Sequence, residues 1–129
     1  MASEVAHGLT ENQTQSGVIS SRSWRHAYQP GGYFEYTLET QKRSDVQLIC
    51  VFGAQDDYRP FDITVEGETI ATPALFALHD TASLVRWQAF QIPEHLLQNR
   101  DRIRMRIQAT DAWDAATADV FECMLVPVE

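Results

Sequence analysis

RIRMRIQ, residues 102–108, decides the fold. Ile103, Met105 and Ile107 alternate with Arg102, Arg104, Arg106 and Gln108, the period of two expected of a strand with one buried and one solvated face. A one-residue slip would turn all three apolar side chains to water, so the register is well specified. Working outward, Leu84 to Ile92 reads as a strand with Trp87 and Phe90 near its centre, and Pro93 to Gln98 as one short helical turn begun by the proline. Val120 to Val128 is the last strand. On the other side, Phe61, Ile63 and Val65 alternate with Asp62, Thr64 and Glu66. Gly67 then closes a tight turn into Glu68 to Ala71, which makes a hairpin.

Earlier still, Val46 to Gly53 is almost continuously apolar, as in a central strand or one buried on both faces. Tyr33 to Thr40 follows Gly31-Gly32 and carries Phe34, Tyr36 and Leu38 on one face. Six or seven short strands joined by turns, with one helical turn, indicate an all-β fold, an antiparallel β-sandwich or jelly roll. The spacings leave no room for the crossover helices of a parallel sheet. Residues 1–16 are polar and read as an N-terminal arm or a short edge strand, and 17–129 as the sandwich domain. Trp24 and Phe34 are expected in the core.

The chain has 129 residues, 44% of them hydrophobic, enough for one domain with its own core. Its net charge of −8 repels phosphate, which argues against nucleic acid and anionic lipid as partners. No run of about 18 apolar residues would span a membrane. The opening, MASEVAHGLTENQTQSG, lacks a basic region followed by an apolar stretch, so no signal peptide is expected and the compartment stays open, cytoplasmic or exported after trimming. Cys50 and Cys123 fall among apolar strand neighbours. Buried free thiols are the expectation and a disulfide between neighbouring strands the alternative.

Catalytic motifs are missing. His7, His26, His79 and His95 do not pair at ligand spacing, and no HExxH, GxSxG or P-loop occurs. No metal or cofactor is expected. Asp111 and Asp114 could offer oxygens to calcium but lack the ligand spacing of an EF-hand loop. Asp56-Asp57 reads as a solvated loop. The stripe of Arg102, Arg104 and Arg106 is expected to pair with acids on a neighbouring strand. In Trp24-Arg25-His26-Ala27-Tyr28, Arg25 is expected to pair with a buried acid or stack on an aromatic.

The loop Thr110 to Asp119 sets Trp113 among small and acidic residues. Such a ring either stacks on the apolar C–H face of a sugar or folds back to cap the core. Loops of a sandwich cluster at its two ends. If this loop and the one after Gly53 share an end, Trp113 with Asp57 and Tyr58 would meet a carbohydrate by stacking and hydrogen bonding.

Several segments together carry a resemblance: His7-Gly8-Leu9, Glu11 to Gly17, Arg22-Ser23-Trp24-Arg25-His26-Ala27, Gly31-Gly32-Tyr33-Phe34-Glu35-Tyr36 and Phe61 to Thr72. From about residue 7 to 126 the chain resembles the C-terminal β-sandwich domain, of unknown function, of the β-L-arabinofuranosidase-like glycoside hydrolases of family 127. It departs from that family at His26, where the family carries Asp, at Met124, where it carries Arg, and in the loop 113–119, where it carries glycines. The resemblance implies a galactose-binding-like sandwich in a non-catalytic accessory role, since catalysis in such enzymes belongs to an α/α barrel absent from this chain. The expected partners are a carbohydrate or an adjacent catalytic domain. A structural module that binds no sugar and a small stand-alone enzyme are the other readings.

Overall fold

In the computed structural model, residues 9–19, 22–78 and 83–128 are described; His7 and His79 lie outside them, as do the first eight residues of the polar N-terminal segment. Among the described residues ten strands form two sheets. The first has the order β1 (Thr10–Asn12), β4 (Tyr33–Glu39), β9 (Arg102–Ala109), β6 (Phe61–Val65), β7 (Glu68–Ala71). The second has the order β2 (Thr14–Ile19), β3 (Arg22–Ala27), β10 (Val120–Pro127), β5 (Val46–Gly53), β8 (Val85–Gln91). Every pairing is antiparallel. β1 is a short edge strand within the segment read as an arm or edge strand, the strands at 14–19 and 22–27 add to those read from the sequence, and the boundary drawn at residue 16 falls inside β2. A single helical turn, α1 (Glu94–Leu97), follows β8, with Pro93 at its N-cap rather than at its first helical position. Among the described residues no helix is long and apolar enough to cross a membrane.

The alternation at 102–108 aligns the first sheet. Phe34, Tyr36 and Leu38 of β4 stand opposite Ile107, Met105 and Ile103 of β9, and all six are buried. Phe61, Ile63 and Val65 continue this inner face on β6. Facing it, the second sheet contributes Leu48, Cys50 and Phe52 of β5 and Val120 and Cys123 of β10. Phe52 meets Phe61 across the sheets at 5.7 Å between ring centroids and Phe90 of β8 at 6.2 Å, both edge-to-face. The apolar run in β5 has the predicted cause: residues Cys50 to Gly53 are buried on both faces, between β10 and β8.

The outer face of the first sheet is charged and largely self-paired. Arg106 bonds Glu35 at 3.3 Å and lies 3.8 Å over the Tyr33 ring, while Arg104 reaches Glu66 at 3.5 Å. Glu66 belongs to the turn and not to β6: at φ 51° and 82° Glu66 and Gly67 form the two-residue link that matches strand twist in a hairpin.

Trp24 requires a correction. Phe34 is fully buried, but Trp24 is half-buried and outside the core. In β3 the inward position belongs to Ala27, so its neighbours at odd spacing, Trp24 and His26, turn outward. Trp24 stacks on His26 at 5.1 Å and covers Gly17, where a Cβ would lie 2.6 Å from the indole. The patch is an aromatic lid on the sheet's surface, so Trp24→Ala is expected to cost less than truncating a core ring.

Cys50 and Cys123 are free, buried and directly opposite one another on β5 and β10, with sulfurs 3.1 Å apart. Burial, and then the neighbouring thiol, push the Cys50 thiol well above its ordinary value. Both sulfurs are buried away from solvent, so both groups are expected to react slowly with a thiol reagent in the native protein. After unfolding without reductant, two fast thiols are expected; fewer would mean a bridge.

Candidate functional site

The antiparallel order gathers four connections at one end of the sandwich. Residues 28–32 follow β3, 54–60 follow β5, 72–78 follow β7, and 110–119 link β9 to β10. Phe61 pairs with Ala109 and Gly53 with Val85, so the starts of β6 and β8 meet the ends of β9 and β5 here. The two loops singled out in the sequence therefore share an end, and specific bonds join them. Arg59 and Asp114 form an ion pair at 2.7 Å, and the Gly53 amide donates to the Asp119 carbonyl at 3.0 Å.

The loop 110–119 is held from beneath. Ala115, Thr117 and Ala118 are buried, and Tyr28 bridges to Ala116. The Ala27 amide donates to Thr117 Oγ1 and the Thr117 amide to the Ala27 carbonyl, both at 2.9 Å. With small residues filling the space under the loop, Trp113 does not cap the core: it is 88% exposed. Asp114 pairs with Arg59, and among the described residues no group of three acids, histidines or cysteines could hold a metal ion.

The other two sequence-predicted residues turn opposite ways. Asp57 is exposed and accepts the Ala77 amide at 2.7 Å, which ties segment 54–60 to the stretch before β8. Tyr58 is half-buried and donates its hydroxyl to Asp119 at 3.4 Å. No hydrogen bond or ring contact among the described residues joins Trp113 to either. Asp119 also meets His26 Nδ1 at 2.8 Å, so one carboxylate gathers Tyr58 and His26, with Trp24 stacked behind. Sequence reading missed this cluster, and the Trp24-x-His26 alternation is the only local signal for it. Gly53 makes room: a Cβ there would collide with the Tyr58 hydroxyl.

Burial first, then the charges of Asp119 and Asp56, push the Tyr58 phenol above its ordinary value of 10.0. The sign follows. Above pH 10 the unfolded chain releases this proton while the folded one retains it, so stability falls as pH rises through and beyond the ordinary phenol value. Tyr58→Phe is expected to remove that part of the alkaline loss, measured as denaturant midpoints from pH 8 to 11. Equal slopes for both proteins would show that Tyr58 is not perturbed.

Two antiparallel sheets with long connections at one end define a β-sandwich jelly roll of the kind found in carbohydrate-binding modules. The chain spans 97% of its length, and 94% of the other's, against a family 35 carbohydrate-binding module from an environmental isolate, at a TM-score of 0.71 and 14% identity. Against the family 35 module from Paenibacillus barcinonensis the TM-score is 0.70 at 11% identity, with 94% of each chain covered. The fold also matches part of a larger chain, the catalytic domain of a glycoside hydrolase family 87 α-1,3-glucanase (TM-score 0.52, 13% identity), covering 95% of this chain and 27% of that one. The chain belongs to the family described as "Family of unknown function (DUF6805)", whose pattern matches residues 2–126. No curated protein matches it.

Proposed function

We propose that this domain is a non-catalytic carbohydrate-binding module that meets its ligand with the loops at one end of the sandwich. The observation that carries the reading is Trp113, a ring 88% exposed on a loop anchored by buried Thr117 and by the Arg59–Asp114 pair. A rigidly held aromatic offers stacking area at little entropic cost. Asp57 and Tyr58 of the adjoining segment supply hydrogen-bonding groups for sugar hydroxyls. The likeness to family 35 modules supports the class of ligand, and the resemblance to family 127 enzymes supports service to a glycoside hydrolase. Glycan arrays followed by calorimetry should find binding by the native domain and its loss in Trp113→Ala. Equal binding by both would end the site assignment, and none by either would end the carbohydrate reading. A packing module is the second reading, favoured by the α-1,3-glucanase match, in which a sandwich of this shape is one part of a longer chain.

A further inference from the structure

Exposed large apolar side chains are not scattered evenly. Phe76, Leu78, Leu84 and Trp87 gather where the chain from Pro73 to Leu78 runs beside the edge strand β8. Phe76 and Trp87 are each 65% exposed. Alternation explains why Trp87 is out: Phe90 occupies an inward position on the same strand, three residues on, and is buried. Nothing in the folding of the domain requires a large ring at position 87, since burial and not exposure is what stabilises.

Between the two segments lies a groove of about 470 Å3, lined by Phe76, Arg86, Trp87 and Gln88 among others. That is within the ~300–1,000 Å3 of small-molecule sites, and rings with a few polar groups are their usual lining. Arg86 donates through Nη1 to the Phe76 carbonyl at 2.9 Å, which fixes this wall of the groove. Its Nε is buried and, among the described residues, has no hydrogen-bond partner. A buried donor without an acceptor is costly.

Backbone hydrogen bonds tie the segment that forms the groove to residues 54–60. Tyr58 N donates to Leu75 O at 2.7 Å, Leu78 N to Ala54 O at 2.8 Å, and Ala54 N to Leu84 O at 3.0 Å. Asp57 clamps Ala77 from the same segment whose Arg59 holds Asp114. Segment 54–60 is thus bonded both to the loop that carries Trp113 and to the stretch that carries Phe76.

We propose that the groove between 73–78 and β8 is a second sugar-binding position, seating further units of the same glycan on Trp87 and Phe76, so that the domain takes a polysaccharide chain and not a lone terminal sugar. This rests on the carbohydrate reading above. Two rings with the Arg86 guanidinium and the Gln88 amide beside them suit a sugar, with its apolar C–H face and its hydroxyls, better than the apolar face of a partner domain.

The native domain, Trp87→Ala, Phe76→Ser and Trp113→Ala should be run through affinity gels containing arabinan, galactan, xylan or β-glucan. Calorimetry should then compare a disaccharide and a hexasaccharide cut from the polymer that retards the native protein. Trp87→Ala is expected to weaken hexasaccharide binding about tenfold, the loss of one good ring contact, and to leave disaccharide binding unchanged. Phe76→Ser should do the same more weakly, and both variants should keep the native melting temperature because the rings are exposed. Hexasaccharide binding equal to native in both variants, with Trp113→Ala still defective, would overturn the second position alone. No retardation of the native domain by any polymer would overturn the carbohydrate reading and this proposal with it.

Discussion

Phe52→Ala is expected to lower stability by about 3–5 kcal/mol, the range for removing a buried aromatic from a core. Phe52 is fully buried and packs edge-to-face against Phe61 of the first sheet and Phe90 of its own. Truncation removes the transfer energy of the ring and two edge-to-face contacts. It also leaves a cavity that rigid sheets on either side cannot close. Against a typical total of roughly 5–15 kcal/mol, that loss could leave the domain marginal at room temperature. Phe52→Leu keeps much of the volume and should cost far less. Denaturant midpoints at constant slope are the measurement, and a shift in Phe52→Ala no larger than that of Trp24→Ala would show that the ring does not join the sheets.

Thr117→Val should cost about 1–3 kcal/mol although it changes neither size nor shape. Thr117 is buried, and its hydroxyl accepts the amide of Ala27, which is wholly buried too. Valine would leave that N–H without an acceptor at the place where β3 hands the chain to the next loop. Thr117→Ser keeps the oxygen and drops the methyl. If serine destabilises as much as valine, methyl packing and not the hydrogen bond holds the loop. The same pair of variants bears on function, since Thr117 anchors the loop that carries Trp113.

Much of the fold was legible because its signals are local. The alternation of Ile103, Met105 and Ile107, the apolar run Val46 to Gly53 and the Gly67 turn each reflect a strand's own buried face or its own link. β2 and β3 were hidden, and β1 could be read only as an arm or a short edge strand, for the same reason. Thr10–Asn12 is exposed throughout, so it has no buried face to leave a period in the sequence. Trp24 misled because ring size says nothing about which side of a strand it occupies; Ala27 holds the inward position of β3, and that preference comes from packing across the sandwich. At the site, Trp113 stood out as one ring among acids and alanines. That its loop meets segment 54–60 was not legible. The meeting depends on β5 pairing with β10, whose cysteines face each other 73 residues apart. The groove at Trp87 was equally hidden, since it is made by a stretch with no regular structure lying beside an edge strand.

The place of β10 has a consequence for how the chain comes to be folded. β10 is the last of the ten strands, yet it lies in the middle of its sheet, between β3 and β5. Until residues 120–127 have left the ribosome, β3 with β2 and β5 with β8 are separate pairs, each with an open edge, and the pair of β5 with β8 also has a bare apolar face. The first sheet waits almost as long, because β9 pairs on both sides with strands that precede it. Sheets built from such distant partners assemble in roughly milliseconds to seconds, not microseconds. The interval before β10 docks is when open strands of neighbouring copies could pair edge to edge, so losses in expression are expected to track variants that slow this docking more closely than those that weaken the finished domain.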